Sequence, residues 1–396
     1  MLVVLRQRSF ALLWFAGLVS IAGDWVLNAA LPFFVYERTG STVATAGMIV
    51  AELAPGVLAG SFAGVFVDRL DRRRVLVASN LLQASTVLSL LAVTSGGGLW
   101  VVYAVAAAQS VLASFSVPAE SALLPSLVPQ AELVAANALT TLNNRIGRLT
   151  GVPLGGLLLG RFGLEPVVVV DALSFCGAAA LVAGVVAPPR APVERSCVRG
   201  EWLDGLRLVR RDRTVAMLFG VLGLMTFGGT MIDPLYVAWV RDVLHRGPKV
   251  YGLLLATHAV FGIAGSVLVG TLRSIPPRVL MGWSSLVAGA ALIAKWELPW
   301  LPLTVGLTAV GGVVSVAAAI GVETWVQSTV HDAFRGRVFA ALGASGAFFS
   351  LLGASAGGIA ARFVGVTTML DVAAALVAFA GLVVLRALRV CGTADR

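Results

Sequence analysis

Long apolar runs separated by short polar segments follow one another along almost the whole chain. A membrane-spanning helix needs about 20 consecutive apolar residues, and the hydrophobic pattern contains twelve runs of about that length. The predicted spans cover residues 10–35, 43–66, 74–95, 99–121, 133–160, 165–187, 214–240, 250–272, 278–296, 301–324, 337–362 and 367–389. The pattern therefore predicts an all-α membrane protein with twelve transmembrane helices.

One long hydrophilic stretch, residues 188–213, divides the predicted spans six and six. It begins with prolines, which favour extended backbone. Its segment EWLDGLRLVRR has apolar residues at helical spacing, which is typical of a helix lying on a membrane surface. We therefore expect an N-terminal six-helix bundle over residues 1–187, a cytoplasmic linker over residues 188–213 and a C-terminal six-helix bundle over residues 214–396.

The two predicted bundles match each other at an offset of about 200 residues, which is typical of an internal repeat. The matches occur in the same order: Glu120 with Glu323, GVPLGG (151–156) with GASAGG (353–358), Arg161-Phe162 with Arg362-Phe363, and Asp171 with Asp371. Repeats of this kind build transporters whose central site opens alternately to the two sides of the membrane. The sequence therefore predicts two pseudo-symmetric bundles around a central substrate site.

Composition and charge agree with a membrane protein. Hydrophobic residues make up 58% of the chain and charged residues 12%, whereas a soluble domain carries roughly 25% charged residues. The formal net charge is +9, but the basic residues fall mainly in short loops on the side that holds Arg6. Because basic loops face the cytoplasm, we expect a multi-pass protein of a bacterial-type inner membrane with both termini cytoplasmic, and no nucleic-acid partner.

Several kinds of chemistry are not indicated by the sequence. Cys176, Cys197 and Cys391 have neither metal-ligand spacing nor a disulfide framework. The GxSxG match at residues 353–357 lies in an apolar helix rather than at a strand-turn-helix elbow, and no Walker loop is present. We therefore expect no enzyme activity, no metal and no cofactor, with the proton gradient as the source of energy.

A strongly basic turn, GVFVDRLDRRR at residues 64–74, joins the second and third predicted spans. Gly56, Gly60 and Gly64 share one helix face with Asp68, and small residues there allow another helix to approach closely. The pattern GxxxDRxxRR resembles the signature of the loop between helices 2 and 3 of the major facilitator superfamily. In that family, the aspartate meets positive helix-end charge from the other half when the cytoplasmic side is closed.

This resemblance implies a gating role for the residues of the pattern, which are Gly64, Asp68, Arg69, Arg72 and Arg73. The alternative is that the arginines only fix the membrane topology.

Three longer segments resemble the macrolide-efflux and catecholate-siderophore-exporter branch of the superfamily. They are FALLWFAGLVSIAGDWVLNAALPFFVYERTGS (10–41), VPAESALLPSLVPQAELVAANAL (117–139) and FRGRVFAAL (334–342). Arg337, in the last segment, is placed with the gate. The resemblance implies export of an amphipathic small molecule driven by the proton gradient, without identifying the molecule.

The fifth span contains GRLTGVPLGG, in which Gly147, Gly151 and Gly155 share one face. It resembles the glycine-proline motif of drug–proton antiporters, with Pro153 displaced by one position. The resemblance implies that Gly151, Pro153 and Gly155 seal a contact with a helix of the other half. The arginine motif of the fourth span is incomplete, because Gln109 is present but Ala106 stands where the arginine would be.

Ionisable residues inside spans are expensive to insert and mark functional sites. Asp24, Glu52 and Glu120 are the candidate acids in the first half, and Arg145 and Arg148 are the cations. We expect one of the arginines to pair with one of the acids, so that breaking the pair during transport makes the acid take up a proton. The alternatives are a static ion pair and, for Glu120, pairing with loop arginines.

Aromatic and polar residues inside the spans supply candidate walls for a central cavity. The candidates are Asn28, Phe115, Phe227, Asp233, His258, Phe261 and Phe348. His258 has the alternative of a neutral ring hydrogen-bonded across helices. Asp171 and Asp371 are expected to cap the amino-terminal ends of spans 6 and 12.

The combined interpretation is a proton-coupled exporter of amphipathic small molecules that works as a monomer, with membrane lipid as its other partner. A lipid or lysolipid flippase and a small-solute importer of the same fold are the alternatives. A membrane receptor that transports nothing is the alternative from another class.

Overall fold

A computed structural model describes residues 2–67, 69–94, 96, 98–186, 213–271, 275–329 and 332–392. Asp68 and nearly all of the predicted linker, residues 188–213, lie outside the described residues. The surroundings of Gly64 and the side chain of Arg337 lie outside them as well.

The first half of the chain forms six long helices, as its apolar runs predict. They are α1 (Arg8–Thr39), α2 (Thr42–Val67), α3 (Arg72–Leu88) with the short α4 (Leu91–Thr94), α5 (Trp100–Leu123), α6 (Leu133–Phe162) and α7 (Leu164–Ala183). The predicted third span is thus divided between α3 and α4, which are separated by two residues in a turn.

The second half also forms six long helices. They are α8 (Arg213–Ala238), α9 (Pro248–Thr271), α10 (Pro277–Glu297), α11 (Leu301–Thr329), α12 (Asp332–Val364) and α13 (Val366–Gly392). A π-helical turn, Trp239–Val243, follows α8. Every described element is helical, so the predicted all-α fold class is confirmed.

Eleven of the described helices are long and apolar enough to cross a membrane. The remaining long helix is α6, which carries Arg145 and Arg148. These charges reduce its hydropathy, although the helix has the length of a span. The prediction of twelve transmembrane helices therefore corresponds to twelve long helices among the described residues.

The helices group into two compact units. Unit 1 comprises residues 1–192 and 246–256, and unit 2 comprises residues 193–245 and 257–396. The helix α9 begins in unit 1 and continues into unit 2. The predicted domain boundaries remain predictions, because the segment that would contain the linker is not described.

The same helix pairs form in both units. In unit 1, α1 packs on α6 and α7, and α3 packs on α5 and α7. In unit 2, α8 packs on α12 and α13, and α10 packs on α11 and α13. In each half, the first span thus packs on the fifth and sixth spans, and the third span packs on the fourth and sixth.

Glycines set the spacing between the first and fifth spans in unit 1. A Cβ atom on Gly151 would collide with the carbonyl oxygen of Ala22, and one on Gly155 with that of Val26. Backbone of α6 therefore lies directly against backbone of α1, which only glycine permits at this distance.

Unit 2 repeats this contact between its first and fifth helices. A Cβ atom on Gly353 would collide with the carbonyl oxygen of Phe227, and one on Gly357 would lie 2.7 Å from that of Met231. These glycines follow Gly151 and Gly155 by 202 residues each. The internal repeat thus extends from the sequence to backbone packing.

The tight turns after the fifth span of each half also correspond. Gly163 joins α6 to α7 with φ 82°, and Gly365 joins α12 to α13 with φ 91°. Residues with a side chain rarely adopt such positive φ values, so glycine is required at both turns.

Candidate functional site

A cavity of about 720 Å³ lies within unit 1. Side chains of α1, α2, α3, α5, α6 and α7 line it. Its volume falls within the range of roughly 300–1,000 Å³ that is typical of small-molecule sites. The cavity is therefore the candidate substrate site.

The cavity wall combines apolar surface with acidic and amide groups. Asp24 on α1, Glu52 on α2 and Glu120 on α5 all line it, and Asn28 lies one helical turn beyond Asp24. Within this described lining there is no lysine, arginine or histidine. The wall can therefore attract a positively charged group, while its apolar remainder accepts hydrocarbon.

Another carboxyl group, outside the cavity lining, lies close to Asp24. Asp171 on α7 is 0% exposed, and its Oδ1 would stand 2.6 Å from a Cβ atom on Gly23 of α1. The charges of Glu52 and Asp171 both act on Asp24. Three carboxyl groups from α1, α2 and α7 are thus concentrated at one end of the cavity.

The predicted capping role of Asp171 is wrong. The helix α7 begins at Leu164, with Gly163 at the cap position, so Asp171 lies two turns inside it. Its Oδ1 accepts a hydrogen bond of 3.4 Å from Ser174, and its Oδ2 has no partner among the described residues. The predicted span began at residue 165, one residue from the observed start, so the helix was located correctly and only the role given to Asp171 was wrong.

Glu120, the remaining acid of the cavity wall, lies against a different part of α1. Its Oε1 would stand 3.4 Å from a Cβ atom on Gly17, and the Nδ2 of Asn143 would stand 3.2 Å from the same point. Asn143 donates to the carbonyl oxygen of Trp14 at 2.9 Å, and Trp14 donates to that of Leu139 at 2.9 Å. Two hydrogen bonds thus hold α6 and α1 together beside Glu120.

Amide side chains form the wall between α3 and α5. The Nε2 of Gln109 donates to the carbonyl oxygen of Gln83 and to Oγ1 of Thr86, each at 2.9 Å. Asn80 lies one turn before Gln83, and Asn80, Gln83 and Gln109 all line the cavity. Asn80 and Gln83 are not among the residues predicted from the sequence, although amides three residues apart in an apolar run signal a polar helix face.

The expected ion pair between a span-5 arginine and an acid remains a prediction. The ion pair found in the described part of the chain joins Arg74 to Asp71, on the surface. Arg145 is exposed, and the guanidinium of Arg148 lies 4.9 Å from the ring centre of Trp25.

Sequence comparison now identifies the family. The family model described as transmembrane secretion effector matches residues 1–395. The chain belongs to this family of major facilitator transporters. It is therefore a multi-pass membrane transporter and not an enzyme.

Two relatives are known as exporters. The transporter is 24% identical to macrolide efflux protein A of Streptococcus pyogenes, over 85% of each chain. It is 27% identical to the multidrug efflux pump Tap of Mycolicibacterium fortuitum, also over 85% of each chain.

A solved structure shares the fold. A bacterial homologue of the iron transporter ferroportin, in its inward-facing state, matches with a TM-score of 0.77 and 18% identity. The match covers 96% of this chain and 98% of that one. At this identity the likeness concerns the fold alone, and it confirms the predicted major facilitator architecture.

The basic turn of the transporter ties helix ends together inside unit 1. Arg72 donates to the carbonyl oxygen of Ala122 near the end of α5, and Arg73 donates to that of Ala183 at the end of α7. Arginine at these positions satisfies carbonyl groups that have no partner within their own helix. Arg69 is exposed. The proposed gating role of these arginines remains a prediction.

The glycine face of α6 points elsewhere than expected. Gly151 and Gly155 pack on α1 of their own half, as described above, and Pro153 lies between them half-buried. The contact with α9 is made by Gly156, whose Cβ would lie 2.6 Å from the carbonyl oxygen of Pro248 and 2.9 Å from Cα of Gly252. Successive helical residues point about 100° apart, so a shift of one residue selects a different neighbour.

The other predicted cavity residues do not line this cavity, apart from Asn28. Phe115 packs against a hydrophobic core cluster of unit 1. The remaining candidates all lie in unit 2: Phe227, Asp233, His258, Phe261 and Phe348. One of them, His258, has a ring nitrogen 3.3 Å from Oγ of Ser315 on α11.

Lys295 in unit 2 is a buried cation that was not predicted from the sequence. It is 5% exposed, and its Nζ lies 4.1 Å from the ring centre of Tyr236 and 4.2 Å from that of Trp296. Its position two residues before the end of α10 is typical of a residue at the interface with water. The neighbouring Trp296 was the available signal for an aromatic contact.

Proposed function

We propose that this transporter is a proton-coupled exporter of amphipathic small molecules that works by alternating access. The observation that carries the proposal is the cavity of unit 1, whose wall joins three carboxyl groups to apolar surface and contains no basic residue among those described. We further propose that it resides in a bacterial-type inner membrane with both termini cytoplasmic, and functions as a monomer without a cofactor.

The carboxyl groups supply the site for coupling. Asp24 and Glu52 come from different helices and act on each other electrostatically. A carboxyl group whose surroundings change during transport binds a proton in one state and releases it in the other. Movement of α1 relative to α2 would therefore change proton binding at Asp24. We further propose that Arg148, whose guanidinium lies 4.9 Å from the ring centre of Trp25, takes part in such a change.

The composition of the cavity and the relatives support an amphipathic substrate. Apolar residues such as Leu31, Met48 and Phe175 line the cavity together with the acids. The names of the two relatives describe efflux of macrolides and of multiple drugs. Together these observations favour export over uptake.

Two contacts have the positions expected of gates. The backbone contact of Gly156 with Pro248 and Gly252 leaves no room for a side chain between α6 and α9. The ring of Phe33 lies 5.8 Å from that of Tyr251 near the same place. At the other end of the helices, two arginines of the basic turn bind the ends of α5 and α7. Alternating access requires one closure at each side of the membrane.

Transport of ethidium and erythromycin into inverted membrane vesicles tests the proposal. An imposed proton gradient, acidic inside, should drive uptake of at least one probe, and a protonophore should abolish it. Asp24→Asn should reduce proton-driven uptake to the level of vesicles without the protein, since Asn cannot exchange a proton. The matched control is Glu165→Gln, which removes an exposed carboxyl group outside the cavity.

Other outcomes would favour the alternatives. Proton-driven uptake that survives Asp24→Asn would reject Asp24 as the coupling residue. Binding of probes without movement would support a receptor, whereas transbilayer movement of a fluorescent lysolipid without drug transport would support a flippase.

A further inference from the structure

The acids of the cavity are divided between two places along α1. Gly17 marks one place, where Glu120 approaches, and Asp24 marks the other. Seven residues separate them, which corresponds to about 10 Å along the helix axis and to nearly two complete turns. The two positions therefore lie on the same face of α1, and both line the cavity.

The Glu120 end also contains a buried acceptor without a donor. Asn143 is 0% exposed, and its Nδ2 is used by the carbonyl oxygen of Trp14. Its Oδ1 has no hydrogen-bond partner in the described part of the chain. A buried acceptor without a partner costs free energy, so a donor from a ligand would be stabilised here.

The Asp24 end has the same two components. Glu52 lies close enough to Asp24 for the two carboxyl groups to repel each other, and a cation between them would relieve that repulsion; Asp171 also interacts electrostatically with Asp24. The Oδ2 of Asp171 finds no partner among the described residues, and the side chain is 0% exposed. Each end thus joins a carboxyl group on the wall to a buried oxygen that lacks a donor.

The wall between the two ends is less polar. Along α1 it presents Ser20 and Ile21, and the described lining of the cavity contains no charged residue other than the three acids. A hydrocarbon chain can lie along this part while charged groups reach the ends.

We propose that the cavity binds elongated dications, with one cationic group held at Glu120 and Asn143 and the other, about 10 Å away, at Asp24 and Glu52. The inference rests on the proposed function, since it names the substrate class of the same cavity. A monocation neutralises only one end and leaves the other carboxyl group without a counter-charge. The affinity of a ligand should therefore depend both on its number of positive charges and on the distance between them.

Binding of a homologous series to the purified full-length protein in nanodiscs tests the inference. The probes are α,ω-diaminoalkanes of increasing chain length, protonated at both ends at neutral pH, and the alkylammonium ions of equal carbon number, measured by calorimetry. The dications should bind best near about seven methylenes, the length that spans roughly 10 Å. At that length they should bind at least about tenfold more tightly than the matched monocation.

Variants assign the two ends. Glu120→Gln should weaken the best dication about tenfold and the monocation by less than about twofold, so that the length optimum disappears. Asp24→Asn provides an independent variant should Glu120→Gln fail to fold, and it should also remove the optimum. Glu165→Gln should leave the whole series unchanged.

A flat dependence on length, equal loss of monocation and dication in Glu120→Gln, or no binding by any probe would overturn the inference. The vesicle experiment separates this failure from failure of the proposed function. Proton-driven drug uptake combined with a flat series would leave the exporter proposal standing and reject the dication site. A clear length optimum without proton-driven transport would do the reverse.

Discussion

Both units pack a glycine of the first span against the sixth span, but different groups face that glycine in each unit. In unit 1, Gly23 of α1 faces the carboxyl group of Asp171 and the hydroxyl of a serine. In unit 2, Gly228 of α8 faces the backbone of Ala373 and the side chain of Leu376. Polar side chains thus face the glycine in unit 1, whereas a backbone carbonyl group and an apolar side chain face it in unit 2.

The register of the repeat extends this difference to the cavity. Ala22 and Val26, which receive the α6 glycines, precede Phe227 and Met231 by 205 residues. The same offset places Asp24 opposite Gly229, which has no side chain. The scaffold therefore depends on glycines shared by both units, whereas Asp24 of the acidic site has no counterpart side chain in unit 2.

The largest expected effect comes from transferring an acid between the units. Ala373 is 0% exposed, so Ala373→Asp should destabilise the protein by about 2.5–3.5 kcal/mol, the cost of a charge inside a span. Asp171→Asn should leave stability unchanged or raise it, because it removes a buried charge that has no cationic partner among the described residues.

Thermal unfolding of the purified variants measures both effects. If an aspartate at position 373 lowered the unfolding temperature no more than the aspartate at position 171 does, the contacts of the sixth and twelfth spans would be equivalent. The distinction between the two units would then be wrong.

A smaller effect is expected when the shared glycines are changed. Gly155→Ala and Gly357→Ala each place a methyl group against a carbonyl oxygen, and overpacking of this kind costs about 1–3 kcal/mol. Because the contact is the same in both units, the two variants should lower the unfolding temperature to a similar degree. Gly306→Ala is the control, since a Cβ atom there meets open space. A large loss in one unit alone would contradict a shared scaffold.

The smallest effect is expected at the buried cation of unit 2. Lys295→Met keeps the volume of the side chain and removes its contacts with two aromatic rings. Cation–π contacts stabilise by roughly 1–2 kcal/mol when desolvated, which the removal of a buried charge offsets. We expect a stability change below about 1 kcal/mol and normal proton-driven drug uptake in vesicles. Loss of uptake with an unchanged unfolding temperature would assign unit 2 a part in the chemistry.

Local pattern was sufficient to predict the helices and the repeat. The length and apolar character of each run fix a span wherever it lies in the fold, so the helices follow closely from the sequence. The acids Asp24, Glu52 and Glu120 are also recognisable from the sequence, because charged residues are rare inside apolar runs.

Neighbours across helices could not be predicted in the same way. Asp171 was expected at a helix end, but it lies two turns inside α7, beside Gly23 of α1. A contact with a helix of the other half was expected for Gly151, Pro153 and Gly155, whereas Gly156 packs on α9.

The sequence by itself therefore determined the number of long helices, their pairing into two halves and the acids available for function. Only the tertiary structure decided which acids meet and which glycine faces which helix. The physical reason is that hydropathy and helical period are properties of one segment, whereas a rotation of about 100° per residue changes the neighbour of every side chain.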